Sequence, residues 1–345
     1  MSRQVFLDRS AGEARGVVTL KGKPERLLIE RDGDLACQRL GAVMTARVSR
    51  IERGLSSAFL QLPEGRDAIL PIKPDLGLVE GASIEIAIAS EARTDKGAVA
   101  RLIGPSSGPP RLIVAGPDIE ARLSDLAPGL QIQTGERARE AADEAQDAAI
   151  ALSHPLPGGG SIAIEPTRAL VAIDVDLGAR GGGDGPRALR QANLAAIDTA
   201  ARLLRLKGLG GLVVFDLAGK GHDGAALSAA ARSAFAPDGT GVAIGPISRF
   251  GLFELAVPRT ATPIAERLLD DSGQLSALTL ALSLARAIER EGRANPGARL
   301  FARASPEVAA AAQTLQAALA ERLGARFTIE PDADLARVQY QVDAR

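Results

Sequence analysis

Short apolar runs separated by turn residues dominate the first part of the chain. Residues 14–31, ARGVVTLKGKPERLLIER, have the pattern of two strands joined around Gly22 and Pro24. Five further strand patterns follow at short intervals, over a length that suits a small closed Greek-key barrel. We therefore predict an N-terminal β hairpin over residues 1–37 and a barrel over residues 38–104.

The hydrophobic pattern then changes to strands that alternate with helices. Stretches rich in Pro and Gly at 104–110 and 155–160 mark two boundaries. Alternating strands and helices predict an α/β domain over residues 158–262. A last group of helices and strands predicts a small α+β domain over residues 263–345, and residues 105–157 are left as a short linking segment.

Composition narrows the possible functions only slightly. A chain of 345 residues is expected to form two or three packed domains. One cysteine, Cys37, and two histidines exclude an internal disulfide and a zinc site built from Cys or His. The absence of a membrane-length apolar run and of a signal-peptide pattern predicts a cytoplasmic protein. A net charge of -1 does not by itself indicate nucleic-acid binding, which depends on local positive charge.

Three aspartates follow apolar strand patterns in the α/β segment. Asp174 and Asp176 stand two apart in VAIDVD, and residues two apart on a strand face the same way. Asp216 ends the strand pattern GLVVFD, after an intervening helix. Because such a strand–helix–strand unit is normally parallel, we expect the three carboxylates to converge at one sheet edge. Oxygen ligands of this kind suit Mg²⁺ or Mn²⁺.

Other interpretations remain open on these residues alone. Strand-end aspartates also cap helices or terminate strands, and their spacing does not decide between these roles and metal binding. The loop RGGGDG, which begins at Arg180, could approach a phosphate backbone or form an ordinary strand-to-helix turn.

A resemblance to the ribonuclease E/G family is carried by three central segments, GGGSIAIEPTRALVAIDVD, ANLAAIDTAARLLRLKGLGGLVVFDL and GPISRFGLFEL. Two earlier segments, IERGLSSAFLQLPEGRDAILPI and EGASIEIAIASEARTDKGA, are similar to the S1-type OB barrel of that family. The final segment is similar to the small C-terminal domain of its shorter, G-type members. The resemblance implies an α+β, multidomain protein in which an RNA-binding barrel precedes a DNase I-like catalytic domain.

The resemblance also implies roles for single residues of the catalytic domain. The two metal-binding aspartates of the family fall on Asp174 and Asp216. The family's Asn that orients the attacked phosphate falls on Asp176, where a carboxylate adds charge and cannot donate a hydrogen bond unless protonated. Arg249 matches a position near the active site, where a guanidinium would grip phosphate or form an ion pair with Glu254.

On the barrel, the resemblance implies a surface that faces RNA. Phe59 matches an aromatic residue that stacks on bases, although a core phenylalanine would show the same pattern. The second stacking aromatic of the family is Ile69 here. Lys96 matches a basic residue of the same surface, or is an ordinary solvated lysine. The predicted RNA-binding set is therefore Phe59, Lys96, Arg180 and Arg249.

Several features of the family are missing. The family carries a long insertion with a pocket for the 5′-monophosphate end of RNA, whereas about fifty residues separate the barrel from the α/β segment here. The resemblance therefore implies that residues 105–157 are a shortened linker or remnant of that sensor region. Gln133 stands where the arginine of that pocket would be, and a neutral amide beside Thr134 cannot replace a charged fork. The zinc-binding cysteines that link subunits are absent, and Gly219 replaces an acid three residues after the second aspartate.

These observations predict a metal-dependent endoribonuclease that cleaves single-stranded RNA, leaves 5′-phosphate products and acts in RNA processing or decay. The expected cofactor is Mg²⁺ or Mn²⁺ without zinc. The expected partners are single-stranded RNA and a second copy of the chain bound through the catalytic domain, with no membrane and no zinc-linked tetramer. Basic side chains near the cleft, Arg180, Arg205, Lys207 and Arg249, would hold the RNA. The alternative is an RNA-binding protein of the same family that has lost turnover.

Overall fold

The structure, a computed structural model, describes residues 3–73, 77–178, 185–239 and 241–345. It begins with three antiparallel strands, β1 (Arg3–Ser10), β2 (Glu13–Leu20) and β3 (Lys23–Arg31). The turn of the predicted hairpin is present, with Gly22 at a φ of 75° that favours glycine. Pro24 lies within β3, opposite Thr19, and the additional strand β1 makes the hairpin part of a larger sheet.

Five strands close into the predicted barrel. They are β4 (Val43–Glu52), β5 (Ser57–Gln61), β6 (Ala68–Pro71), β7 (Ser83–Ser90) and β8 (Val99–Pro105). Their order is β5-β6-β8-β7-β4, and β4 pairs back onto β5 to complete the closure. A further strand, β9 (Arg111–Val114), pairs with β4. Alternate side chains, including Met44, Leu60 and Ile86, point inward and form the barrel core, as the two-residue strand period requires.

The segment predicted as a linker completes the N-terminal sheet, which corrects that prediction. It contains α1 (Ile119–Leu126), β10 (Ile132–Gln133) and α2 (Glu136–Ile150). Strand β10 pairs with β1 in parallel. Leu123 of α1 packs with Val18 on one face of the sheet, and Ala142 of α2 shares a core with Val17 on the other. Most of this segment, residues 119–150, therefore packs against the first sheet.

The central part of the chain forms a mixed six-stranded sheet. Its strands are β11 (Ser153–Pro155), β12 (Ser161–Pro166), β13 (Val171–Asp176), β14 (Gly211–Asp216), β15 (Ala243–Ile247) and β16 (Leu252–Val257). Their order is β11-β12-β13-β14-β16-β15. Strands β13 and β14 are parallel, and the other neighbouring pairs of this sheet are antiparallel. The parallel pairing predicted for the aspartate-bearing strands is thus confirmed.

Helices cover one face of this sheet and leave the other open. They are α3 (Gly185–Lys207), α4 (Gly224–Ala234) and α5 (Ile264–Leu268). Inward residues such as Ile173, Phe215 and Phe253 are buried against the helices. Their neighbours on the opposite face, such as Glu254, are exposed. Because Leu268 of α5 joins this core, the α/β core extends beyond the predicted boundary at residue 262.

The C-terminal part is a small α+β unit with its own core. Its elements are α6 (Ala277–Ala294), β17 (Leu300–Ala304), α7 (Pro306–Ala312), α8 (Gln316–Leu323), β18 (Phe327–Pro331) and β19 (Tyr340–Ala344). Strand β17 lies between β18 and β19 and shares its core with the three helices. Throughout the described residues, no helix is both long enough and apolar enough to cross a bilayer.

Candidate active site

Two of the predicted aspartates lie side by side at the carboxyl ends of parallel strands. Asp174 of β13 and Asp216 of β14 are direct register partners. Neighbouring strands lie about 4.8 Å apart, so two side chains on the same face of partnered positions can reach one ion. Both aspartates are exposed, whereas the residues that precede them, Ile173 and Phe215, are buried on the opposite face. The alternation of the strands therefore presents the two carboxylates together to solvent.

Asp176 lies two residues further along β13, on the same face and also exposed. Its Oδ1 atom accepts a hydrogen bond of 2.9 Å from the backbone N–H of Gly178. Strand β14 ends at Asp216, so no strand residue stands opposite Asp176 on that side. The structure thus brings Asp174 and Asp216 together in register and places Asp176 one row beyond them.

The donor set at this edge suits a hard divalent cation. Among the described residues, no group of three or more His, Cys, Asp and Glu side chains is arranged to hold a metal. Mg²⁺ is usually held by one or two carboxylates, with water and substrate phosphates in the remaining positions. Within the described part of the chain, neither Asp174 nor Asp216 has an ion-pair partner. The two carboxylates therefore fit such an ion without requiring a third protein ligand.

Asn193 of α3 is hydrogen-bonded to the backbone just after Asp216. This residue was not identified from the sequence. Its Nδ2 atom donates to the Ala218 carbonyl at 3.1 Å, and its Oδ1 atom accepts from the Ala218 N–H at 3.0 Å. Asn193 is only 2% exposed, so both bonds are shielded from water. A polar residue on the apolar stripe of a predicted helix is the signal that could have identified it.

The turn after Asp216 also explains the missing acid at position 219. Gly219 has a φ of 82°, a region that side-chain-bearing residues rarely adopt. A Cβ atom built at this position would lie 2.7 Å from a methyl carbon of Leu189. The backbone here therefore disfavours the acidic residue that the family usually places at this point.

Arg249 lies at the tip of the β15–β16 hairpin, near the two aspartates. Leu252, the first residue of β16, is the register partner of Asp216, so the tip is close to the carboxyl end of β14. Arg249 is exposed, and its Cζ atom lies 4.7 Å from the ring centroid of Phe250. No ion pair joins Arg249 to Glu254 within the described residues. Arg180 and most of its Gly-rich loop, residues 179–184, lie outside the described residues.

Two other basic residues predicted to hold RNA are structural instead. Arg205 contacts Glu25 at 3.2 Å and Asp238 at 2.7 Å, and its side chain is 7% exposed. Lys207 is buried, and its Nζ atom donates to the carbonyls of Ala149 and Ala151 near the end of α2. Burial lowers the pKa of Lys207 to about 8. The prediction was wrong for both residues because helix α3 directs them into the protein interior.

Phe59 lies on the outer surface of the barrel. Its neighbours Ala58 and Leu60 are buried in the barrel core, while Phe59 is half-buried. The Cζ atom of Arg50 lies 4.4 Å from the centroid of the Phe59 ring. Across the sheet, Phe59 pairs with Ile69. The interpretation of Phe59 as a core residue is therefore excluded by its position.

Lys96 lies in an exposed turn beside the junction of the barrel and the α/β domain. The backbone of Lys96 pairs with that of Arg93 to close the turn. Thr94 within it donates from its N–H and its Oγ1 to Glu266 of α5, at 2.6 and 2.9 Å. The turn is thus anchored to the central domain, and the Lys96 side chain remains in solvent.

The fold and this site define a mixed α+β protein in which a closed five-stranded barrel is joined to a sheet that carries a paired-aspartate site. Comparison with known proteins shows which family the segment around this site resembles. Residues 136–260, which include both aspartates and Arg249, match the model of the Ribonuclease E/G family. The central segment of the chain is therefore similar to the ribonuclease E/G family.

Individual proteins show the same similarity over part of the chain. Ribonuclease E of Haemophilus influenzae is 42% identical over 115 residues, which are 32% of this chain and 12% of that protein. Ribonuclease E of Escherichia coli is 37% identical over 147 residues, which are 39% of this chain and 14% of that protein. The Ribonuclease E/G-like chloroplastic protein of Arabidopsis thaliana is 36% identical over 110 residues, 30% of this chain and 11% of that protein. The chain thus spans only a small part of each relative.

Proposed function

We propose that this protein is a metal-dependent endoribonuclease that hydrolyses phosphodiester bonds in single-stranded RNA. The observation that carries the proposal is the register pairing of Asp174 with Asp216 at the carboxyl ends of two parallel strands. This pair lies inside the segment that matches the Ribonuclease E/G family. Two exposed carboxylates with no ion-pair partner among the described residues leave their oxygens available to a divalent cation.

The barrel supplies the surface that holds the RNA strand. Phe59 offers a π-face to a base, and Arg50 beside it adds positive charge. Lys96 extends this surface to the turn that contacts the central domain. Contacts to bases and to phosphates together hold a single strand without reading its sequence closely. In this proposal the barrel is the S1-type element and the α/β domain is the DNase I-like catalytic element.

At the cleavage site, each side chain has a separate task. Asp174 and Asp216 would hold Mg²⁺ or Mn²⁺, which would supply Lewis-acid activation and shield charge on the phosphate. Asp176, with one oxygen held by the Gly178 N–H, borders the phosphate position. Arg249 provides N–H donors for the non-bridging oxygens. A water oxygen bonds to phosphorus as the P–O3′ bond breaks. The water gives up a proton to solvent and the leaving O3′ takes one up from solvent, which leaves a 5′-phosphate and a 3′-hydroxyl.

The cellular role and the dimer that we propose rest on the similarity to the ribonuclease E/G family. The protein acts in RNA processing or decay in the cytoplasm, including rRNA processing and mRNA decay. It pairs with a second copy through the α/β domain, without a zinc link. Sedimentation of the purified chain in the presence of a chelator tests this dimer, because a monomer at micromolar concentration contradicts it.

The direct test uses the purified full chain and a 3′-labelled single-stranded RNA that has a 5′-hydroxyl end and no secondary structure. Cleavage is expected with Mg²⁺ or Mn²⁺ and none with EDTA, and excess Mg²⁺ should restore it. Products should be degraded by an exonuclease that requires a 5′-phosphate. A protein that binds the RNA but never cuts it with either metal would instead be the RNA-binding alternative.

A further inference from the structure

Phe250 is a large apolar side chain that the fold leaves in solvent. It is 76% exposed, more than any other large hydrophobic residue in the described part of the chain. Single exposed apolar residues are common on protein surfaces and need no explanation by themselves. Two features distinguish Phe250 from such residues: hydrogen bonds restrain the turn that carries it, and that turn lies at the sheet edge of the aspartate pair.

The turn that carries Phe250 is held by a set of short-range hydrogen bonds. The N–H of Ser248 donates to the Leu252 carbonyl at 2.8 Å, and the N–H of Gly251 donates to the Ser248 carbonyl at 2.9 Å. The Oγ atom of Ser248 accepts from the N–H groups of Phe250 and Leu252 at 3.3 and 3.2 Å. These bonds restrain the backbone on both sides of the aromatic residue, so its ring is presented from an ordered turn.

The ring itself has a cation on one side. The Cζ atom of Arg249 lies 4.7 Å from the centroid of Phe250, within the range of a cation–π contact. The large exposed fraction of Phe250 means that much of the remaining ring surface is free. An aromatic ring that is restrained by its turn and contacted by a guanidinium is a suitable support for a second planar group.

This aromatic residue belongs to the same edge of the sheet as the aspartate pair. Strand β16 runs antiparallel to β14 and starts where β14 ends, with Leu252 opposite Asp216. Phe250 is two residues before Leu252 along the chain. A nucleotide whose phosphate lies at the aspartates therefore has its neighbouring bases within reach of this turn.

We propose that Phe250 is the stacking platform for a base next to the phosphate that is cut, and that it selects single-stranded RNA at the cleavage site. This inference rests on the proposed function. A base can stack on a side chain only after it has left the helical stack of its own strand, which is easy in single-stranded RNA and costly in a duplex. The selection does not depend on base identity, because every base has a π-face.

The test compares wild type with Phe250→Ala and Phe250→Tyr. The control is Phe301→Ala, which removes a half-buried phenylalanine of the C-terminal sheet that also has an arginine, Arg345, over its ring. Phe250→Ala should lower kcat/KM for single-stranded RNA about tenfold, equivalent to ~1.4 kcal/mol. Phe250→Tyr and the control should stay within twofold of wild type, and all thermal unfolding midpoints should remain close together.

A series of RNA substrates identifies the base that stacks on Phe250. Each substrate carries one abasic nucleotide, and its position is shifted by one nucleotide from substrate to substrate across the cleavage site. For wild type, kcat/KM should fall about tenfold when the abasic site is at one particular position. For Phe250→Ala, an abasic site at that position should cause no further fall in kcat/KM. If Phe250→Ala matches Phe301→Ala on intact RNA, or if its defect is the same at every abasic position, the stacking proposal is overturned while the nuclease stands. If wild type neither binds nor cuts RNA, the proposed function fails and the stacking platform fails with it.

Discussion

The two faces of the six-stranded sheet use charged and polar residues in opposite ways. On the open face, Asp174 and Asp216 are exposed and have no ion-pair partner among the described residues. On the covered side, Lys207 and Asn193 are buried, and their polar atoms are bound to backbone groups. Side chains of similar polarity therefore stay unpaired in solvent on one face and stabilise the packing on the other, and only their partners distinguish the two situations.

Shifted pKa values on the covered side support this distinction. Burial lowers the pKa of Lys207 to about 8 and the pKa of His154 to about 4. His154 is also buried, with its Nε2 atom 3.0 Å from the Ala151 carbonyl. Perturbed groups often mark functional sites, but structural burial shifts pKa values as well. Here the shifted groups stabilise the end of α2, on the side of the sheet that lies away from the aspartates.

The largest expected effect comes from removing charge on the open face. Asp174→Asn and Asp216→Asn should each lower cleavage at least a hundredfold, about 2.7 kcal/mol, because an amide is a poor ligand for a hard cation. RNA affinity and the free energy of unfolding should stay nearly unchanged, since both positions are exposed. Glu165→Gln, which changes an exposed acid on the same sheet, is the control. Parental cleavage rates in both aspartate variants would show that the site lies elsewhere.

A change on the covered side should show the reverse pattern. Lys207→Met leaves carbonyls at the end of α2 without their donor, and we expect a loss of about 2–3 kcal/mol in the free energy of unfolding. Cleavage per folded molecule should be unchanged. The measurement is denaturant unfolding, with the exposed Arg232→Met at the end of α4 as the control. A loss of RNA affinity at unaltered stability would return Lys207 to the RNA-binding surface.

A substitution on the barrel surface should have a smaller effect, and this effect should be limited to RNA affinity. Phe59→Ala should weaken affinity for single-stranded RNA about tenfold, ~1.4 kcal/mol, within the usual range for one stacked base. Fluorescence anisotropy at fixed salt measures it, and Phe301→Ala should bind like wild type. Cleavage at saturating RNA should be preserved in both variants. An unaltered affinity for Phe59→Ala would remove this ring from the RNA path.

The smallest expected effect concerns the 5′ end of the RNA. Gln133 lies in β10, opposite Phe6 of β1, and supplies a neutral amide where a charged fork would be needed. We expect cleavage rates for 5′-monophosphate, triphosphate and hydroxyl forms of one oligonucleotide to differ by less than tenfold, ~1.4 kcal/mol. Rates at matched salt and saturating Mg²⁺ decide this. A larger preference for the monophosphate would reveal a sensor within residues 111–155.

Local patterns along the chain were sufficient for much of the fold and for the aspartate pair. The five barrel strands and the parallel alignment of β13 with β14 could both be predicted. These features depend on strand period, turn residues and crossover length, which are written in neighbouring residues. The meeting of Asp174 with Asp216 followed from the same rules, because parallel strands end at the same edge.

Contacts between distant segments decided what the sequence left open. Residues 119–150 pack on the first sheet rather than form a simple linker, because α1 and α2 bury their apolar faces there. Arg205 and Lys207 face the interior and Arg249 faces solvent, although all three are cations near the predicted cleft. Whether a charge is buried depends on what packs against it in three dimensions, and local sequence pattern does not contain that information.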